Sequence, residues 1–223
     1  MAIRDCQSGG FQEVAAEKVI LAAGPWTGEL RARAVGPAVA TREMARHALG
    51  LNLVVGRRPA NAVIGLRSER SATEDPIGGG RRFLFLVPQE DTTLVGTWYG
   101  TVENCGLEAG LEQGRRTLFE DVNHACPGLG LVDADIVGYQ WGRLPLDRGV
   151  DGHPARLADR PRVAGPTELG LANLHAAETV KYTTARAVAE RLLDRVATGL
   201  PGPVGPCRSA EMPLIGAGPG AMS

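Results

Sequence analysis

The chain has 223 residues, 43% of them hydrophobic and 22% charged, which fits a globular protein of one large domain or two small ones at about 150 residues per domain. Lys and Arg number 24 and Asp and Glu 25, so the net charge is −1 and there is no electrostatic case for nucleic acid or an anionic membrane. No apolar run approaches the roughly 20 residues of a membrane span, the opening MAIRDCQSGG is polar from the outset, and Cys6, Cys105, Cys126 and Cys207 are too scattered for zinc or a disulfide framework. A reduced, cytoplasmic protein without a metal is the expectation.

In chain order, Gln7-Ser8-Gly9-Gly10 reads as a polar turn before Phe11-Gln12-Glu13-Val14, a hairpin leading to the next strand. Val19-Ile20-Leu21-Ala22 is an apolar run without alternation, as in a strand buried on both faces. Ala23-Gly24 then removes side-chain bulk, Pro25 ends ladder donation, and Thr27 is placed to cap a helix with Glu29 in its first turn. A strand, a small-residue tip and a helix start are how α/β folds present ligands at strand ends. An ordinary strand-to-helix connection would read the same way.

Strands are expected around 51–55 and 62–66, with a glycine-rich polar loop over 68–80. Two more, about 83–87 and 93–98, are joined by a tight turn at Gln89-Glu90-Asp91. Leu111, Leu118, Phe119 and Val122 place a helix over 107–125, despite Gly110 and Gly114, stopped by Pro127. A strand over 132–142 is followed by RLPLD as a turn, then by a hairpin of 162–164 with 169–174. The strongest periodicity is a helix over 183–200, with Ala185, Val188, Ala189, Leu192, Leu193 and Val196 on one side. Thr183 or Thr179 is its expected cap, and Gly199 with Pro201 ends it. Strand-rich sequence between two α/β pieces suggests one domain inserted into another.

GAGPGA at 216–221 matches the letters of a dinucleotide fingerprint, but the chain ends at Ser223 and leaves no helix to hold a pyrophosphate. Gly78-Gly79-Gly80 precedes a strand instead of following one, so it is no phosphate loop. His47, His124, His153 and His175 lie in different elements without metal spacing, and Asp147, Asp151 and Asp159 fit a solvated loop. In ETVKYTTAR, Lys181 precedes a helix start where Thr183 and Thr184 expose hydroxyls and free N–H groups. That suits a phosphate or a reduced flavin; a capped helix with a solvated lysine accounts for the same residues.

KVILAAGPW, LGLNLVVGR, FLFLVPQEDTTLVGTWY, GRLPLD, VKYTTARAVAERLLD and CRSAEMPL, in this order, resemble the later portion of FAD-dependent oxidoreductases of the D-amino-acid-oxidase type, nearest the glycerol-3-phosphate dehydrogenase branch. The resemblance runs from about Glu17 to about Leu214. It implies an α/β (α+β) fold in which an incomplete Rossmann-like FAD domain (1–42 and 161–200) is interleaved with an antiparallel-sheet substrate domain (43–160), with a Gly/Pro-rich tail over 201–223. Ala23, Gly24, Pro25 and Trp26 would form the strand tip near FAD. Thr179, Val180, Lys181, Tyr182, Thr183 and Thr184 would match the family's Gly-Gly-Lys-x-Thr-Thr stretch, with Lys181 against the flavin pyrimidine edge and the helix dipole favouring the reduced ring.

Two departures concern the chemistry. Gly50-Leu51-Asn52 stands where the branch has Gly-Ser-His, and Asn52 cannot take a proton at neutral pH. Gly142-Arg143-Leu144-Pro145-Leu146 stands where the branch has Gly-x-Arg-Pro-Leu, so Arg143, the candidate for a substrate anion, comes one place early and turns to the opposite face. Both bear on glycerol-3-phosphate as substrate. The family's G-x-G-x-x-G turn precedes the AAGPW strand, and sixteen residues before Glu17 are too few for a βαβ unit of about 30. The expectation is therefore a fragment of a longer flavoprotein oxidising a small polar substrate. The alternative is a non-catalytic piece or subunit needing a partner chain with the N-terminal half.

Overall fold

The structure, a computed structural model, describes residues 2–36, 47–67, 77, 83–100, 106–147 and 155–213. The expected loop over 68–80, apart from Ile77, lies outside them, as do GAGPGA at 216–221, Cys105, Asp151 and His153. The chain divides into two compact units, one from Met1–Met44 with Arg160–Ser223, the other Ala45–Asp159.

In the first unit, β1 (Ala2–Arg4) and β2 (Phe11–Glu13) form an antiparallel hairpin. Asp5 organises its turn: the carboxylate accepts from the Gln7 N–H and the Ser8 hydroxyl, and its backbone bonds Gly9 and Gly10. The hairpin is a sheet of its own and does not run into β3 (Val19–Leu21). A three-stranded sheet has the order β10 (Arg162–Ala164), β11 (Leu174–Glu178), β3. β11 is antiparallel to β10 and parallel to β3. Two expectations change here. β3 is an edge strand with one described neighbour, so Ile20 is 38% exposed and the run is not buried on both faces. The arm pairing with β10 is 174–178, because Pro166 starts the short helix α3 (Pro166–Leu169) and Gly170, at φ 80, closes it in the left-handed region. Leu169, Leu174 and Ala176 form the small apolar core, with Val19, Leu21 and Ala164 against it. Arg31 of α1 (Thr27–Val35) is buried because its guanidinium donates to the carbonyls of Leu169 and Glu168.

The second unit is a six-stranded antiparallel sheet in the order β5 (Ile64–Arg67), β6 (Phe83–Gln89), β7 (Thr92–Gly100), β4 (His47–Val55), β8 (Ile136–Asp147), β9 (Arg156–Leu157). The β6–β7 turn falls on Glu90 and Asp91, with Glu90 at φ 49. The helix α2 (Gly106–Ala125) packs over β4 and β7. Alternation along β4 sends Leu49, Leu51, Leu53 and Val55 into one core with Leu84, Val95, Trp98, Leu118 and Val122. Fully burying such side chains contributes roughly 1.5–3 kcal/mol each. The opposite face carries a smaller cluster of Ala48, Ile77 and Leu146 with Tyr99. RLPLD is not a turn. β8 continues through it, with His47 opposite Pro145 and Leu146 opposite Leu157. Pro145 lacks an N–H to donate, but its carbonyl stays in use, accepting from Ala158 N–H.

Candidate functional site

β3 and β11 lie side by side and run in the same direction, with Val19, Ile20 and Leu21 opposite Leu174, His175 and Ala176. Each leaves the sheet at its carboxyl end through the same sequence of events. β3 passes Ala22 and Ala23 into a 3-10 turn, Gly24–Trp26, and then α1. β11 passes Thr179, Val180 and Lys181 into a 3-10 turn, Tyr182–Thr184, and then α4 (Ala185–Ala197). Ala23, Gly24, Pro25 and Trp26 are thereby brought to the same sheet edge as Thr179 through Thr184. This is the edge where open α/β sheets collect ligands.

Local chemistry explains both exits. Gly24 sits at φ 54, a conformation that costs other residues, and open space surrounds its Cα. Pro25 is pre-set for the first positions of a helical turn. In the second exit, the Lys181 carbonyl gathers the turn: it accepts from the Thr184 N–H at 3.1 Å and hydroxyl at 2.8 Å, and from the Thr179 hydroxyl at 3.4 Å. Thr179 and Thr184 also bond to each other at 3.2 Å. These hydroxyls hold the turn instead of capping α4, whose N-cap Thr184 makes no side-chain cap bond. α1 is likewise uncapped: Trp26 occupies the N-cap, and Thr27 is one place inside the helix. The expected Thr27, Thr179 and Thr183 caps are therefore not formed. The first-turn N–H groups of both helices keep their positive ends without a side-chain oxygen on them.

The edge is unusually open for its composition. Trp26 is 59% exposed, Tyr182 is 93% exposed, and Lys181 is exposed. Beneath it lie two buried polar atoms without partners, Thr27 Oγ1 and Glu178 Oε1. Burial raises the Glu178 carboxyl above its ordinary value, partly offset by Arg162 opposite it on β10. Glu178 was not among the residues expected here. An acid closing the apolar run LHAA is the signal in the sequence that would have found it. Further along β11, His175 is buried with both ring nitrogens unpartnered. Its pKa is lowered by burial first, then by the positive charges of Lys18 and Arg195.

Asn52 and Arg143 belong to the other unit and do not come together. Asn52 on β4 pairs with Gln140, and Arg143 on β8 pairs with Leu49. Directly opposed residues share a face, and 49 and 52 differ in parity, so the two side chains leave opposite faces of the sheet. Leu144 occupies the Asn52 face: a Cβ added at Gly50 would lie 2.8 Å from its Cδ1. The Thr97 hydroxyl donates to Asn52 Oδ1 at 2.7 Å, which leaves the amide Nδ2 to act as a donor. Among the described residues no group of three His, Cys, Asp or Glu is arranged to hold a metal ion. No described helix is long and apolar enough to cross a membrane.

No protein-family model matches the chain. Glycerol-3-phosphate dehydrogenase 2 of Mycobacterium tuberculosis is 28% identical over 221 residues, covering 97% of this chain and 34% of the relative. The aerobic glycerol-3-phosphate dehydrogenase of Bacillus subtilis is 26% identical over 220 residues, covering 96% and 37%. The chain thus spans about a third of the length of the curated relatives it matches. Among solved structures, the glycerol-3-phosphate dehydrogenase of Bacillus halodurans, complexed with FAD, superposes with a TM-score of 0.63 at 21% identity, covering 89% of this chain and 35% of that one. Iminodiacetate oxidase of Chelativorans sp. superposes with a TM-score of 0.51 at 15% identity, covering 89% and 46%. Across nearly its whole length, therefore, the chain resembles part of the FAD-dependent oxidoreductases of the D-amino-acid-oxidase type, in their glycerol-3-phosphate dehydrogenase branch.

Proposed function

We propose that this chain is the later portion of an FAD-dependent, glycerol-3-phosphate dehydrogenase-like oxidoreductase that oxidises a small polar substrate by hydride transfer to flavin. The observation that carries the reading is the shared edge of β3 and β11, where AAGPW and TVKYTT meet at the carboxyl ends of parallel strands. The edge suits FAD on its own chemistry: a small-residue tip, an exposed lysine, two uncapped helix starts and two buried polar atoms awaiting partners.

When bound, FAD supplies a hydride acceptor and a carrier for two electrons. Lys181 and the α4 N-terminus supply positive charge and dipole, which favour an electron-rich ring. The backbone from Thr179 to Tyr182 supplies hydrogen-bonding groups held by the Thr179–Thr184 bond. Trp26 and Tyr182 offer flat apolar cover, and Glu178, its carboxyl raised, offers a proton-bearing group at the strand end. On the substrate side, Asn52 serves as a hydrogen-bond donor and not as a base. With Leu144 on its face and Arg143 on the other, the reading favours a substrate less anionic than glycerol-3-phosphate on the Asn52 side. Lys181→Met is expected to weaken flavin affinity or reduction about 10-fold, in proportion to losing one charge-assisted contact of roughly 1.5 kcal/mol. Unchanged affinity and unchanged reduction would remove Lys181 from the site.

The edge of β3, which has no neighbour on its outer side among the described residues, favours a second reading, in which a partner chain carries the remaining strands. Co-expression with the N-terminal half of a relative distinguishes the two: flavin retained only in the co-expressed complex supports the partner reading.

A further inference from the structure

On its β8 side the middle of β4 is regular, with Leu51 opposite Trp141, Asn52 opposite Gln140 and Leu53 opposite Tyr139. On its β7 side the register shifts at one place. Leu51 is opposite Trp98 and Leu53 is opposite Val95, so Gly96 and Thr97 together face the single residue Asn52. A two-against-one bulge of this kind re-aims the side chains beside it. Here it fixes the half-buried Asn52 amide in two ways. The Thr97 hydroxyl donates to Oδ1 at 2.7 Å. The same oxygen lies over Gly96, where an added Cβ would strike Oδ1 and come within 2.8 Å of Cγ. With Oδ1 held against β7, the planar amide carries its Nδ2 donors on the side away from β7. Gly50 shares this face, two residues along the strand. Leu144 Cδ1 and Tyr99 Cε1 stand 2.8 and 3.4 Å from the position of a Gly50 Cβ, so the donor has apolar neighbours.

We infer that Gly96 and Thr97 are positioning residues that make Asn52 a one-sided hydrogen-bond donor, and that the ligand taken at this point presents a neutral acceptor oxygen, such as a carbonyl or ether oxygen. The inference rests on the reading of this face as the substrate side of a flavoprotein. An unrestrained asparagine offers a donor or an acceptor by turning its amide. With Oδ1 engaged by Thr97 and seated on Gly96, the amide presents N–H groups outward. A ligand group that can only donate, such as an ammonium, then meets donors, and the mismatch selects against it. Thr97 acts through Asn52 and sets the choice of ligand group without touching the ligand. Gly96 supplies the room that lets the amide lie down in this orientation.

The test reads the Asn52 side-chain amide protons of the isotope-labelled chain by NMR, with the pair identified by its disappearance in Asn52→Asp. The heteronuclear NOE is expected to show an ordered pair in the parent, a disordered one in Thr97→Val and an ordered one again in Thr97→Ser. Acetone serves as the acceptor-only probe and ethylammonium as the donor-only probe. Acetone is expected to shift the pair in the parent and in Thr97→Ser, and to need about 10-fold higher concentration in Thr97→Val, the loss of one well-placed neutral hydrogen bond. Ethylammonium is expected to leave the pair in place. Gly96→Ala, which displaces the amide by contact and leaves Thr97 intact, is expected to lose the acetone response as well. A purely structural Thr97 would lower stability and leave the preference for acetone over ethylammonium unchanged. A pair already disordered in the parent overturns the inference. So does an ethylammonium shift equal to that of acetone, or an acetone response unchanged in Thr97→Val. Flavin retention by the same samples is scored separately. A colourless chain with an ordered, acetone-selective Asn52 upholds the positioning and counts against the flavin reading; a flavin-retaining chain with a disordered Asn52 does the reverse.

Discussion

Gly114 lies in the middle of α2, where helix propensity alone says that alanine should be better by about 1 kcal/mol. The packing says otherwise. A Cβ built on Gly114 would lie 2.5 Å from Trp98 Cε3, 2.7 Å from Trp98 Cζ3 and 2.9 Å from Leu51 Cδ2. Carbon atoms prefer separations of about 3.5–4.0 Å, so the helix or the indole must move by several tenths of an ångström or more. Trp98 has little room to yield, since it is 2% exposed and a Cβ at Gly100 on its own strand would also strike its ring. Overpacking a close-fitted core costs about 1–3 kcal/mol. Subtracting the propensity gain of about 1 kcal/mol leaves Gly114→Ala destabilised by up to about 2 kcal/mol, and Gly114→Val by more. Urea unfolding followed by tryptophan fluorescence reads this directly, because Trp98 is buried while Trp26 and Trp141 are exposed. A midpoint that rises in Gly114→Ala would refute the packing argument.

Other outcomes follow from single contacts. Asn123 clamps Leu131 with its amide, donating to the carbonyl at 2.9 Å and accepting from the N–H at 2.8 Å. Asn123→Ala should cost about 1–3 kcal/mol for each buried partner left unsatisfied, measured by thermal unfolding; a loss below the scatter of surface variants would remove the clamp from the account. His175 has a folded pKa below its ordinary 6.5, so the unfolded chain takes up the proton first as pH falls. Its contribution is complete above pH 6.5 and is lost as pH falls from there through the lowered folded value. His175→Phe should flatten that acid limb, and an unchanged profile would contradict it. Glu178 has the opposite sign: its folded pKa is above 4.5, so its contribution is complete below pH 4.5 and is lost as pH rises through the raised value. Glu178→Gln should therefore be more stable than the parent at neutral pH, and a less stable variant would place an ionised Glu178 in a bond the structure lacks.

Much of the second unit was legible because its signals are local and periodic. The 107–125 helix comes within one residue of α2, since apolar spacing and Pro127 act within the segment itself. The β6–β7 hairpin was equally plain from its polar turn. What misled was context supplied from elsewhere in the chain. Val19-Ile20-Leu21 has the composition of a central strand, but pairing, not composition, makes a strand an edge. RLPLD has turn residues, yet β4 and β9 hold it extended on both sides. Thr183 or Thr179 has the chemistry of a helix cap, whereas in the fold Thr179 and Thr184 bind the Lys181 carbonyl. At the candidate site, the two stretches were visible as motifs, but their adjacency depends on β3 and β11 pairing across more than 150 residues. Glu178 escaped notice because its importance is its burial, and burial is a property of the folded sheet.

The measurement that bears most directly on the central claim is the visible absorption spectrum of the purified chain after incubation with FAD and removal of free cofactor. A retained flavin band that weakens in Lys181→Met is the predicted result. A folded, colourless protein, both alone and when co-expressed with the N-terminal half of a relative, would contradict the assignment of the β3–β11 edge to flavin.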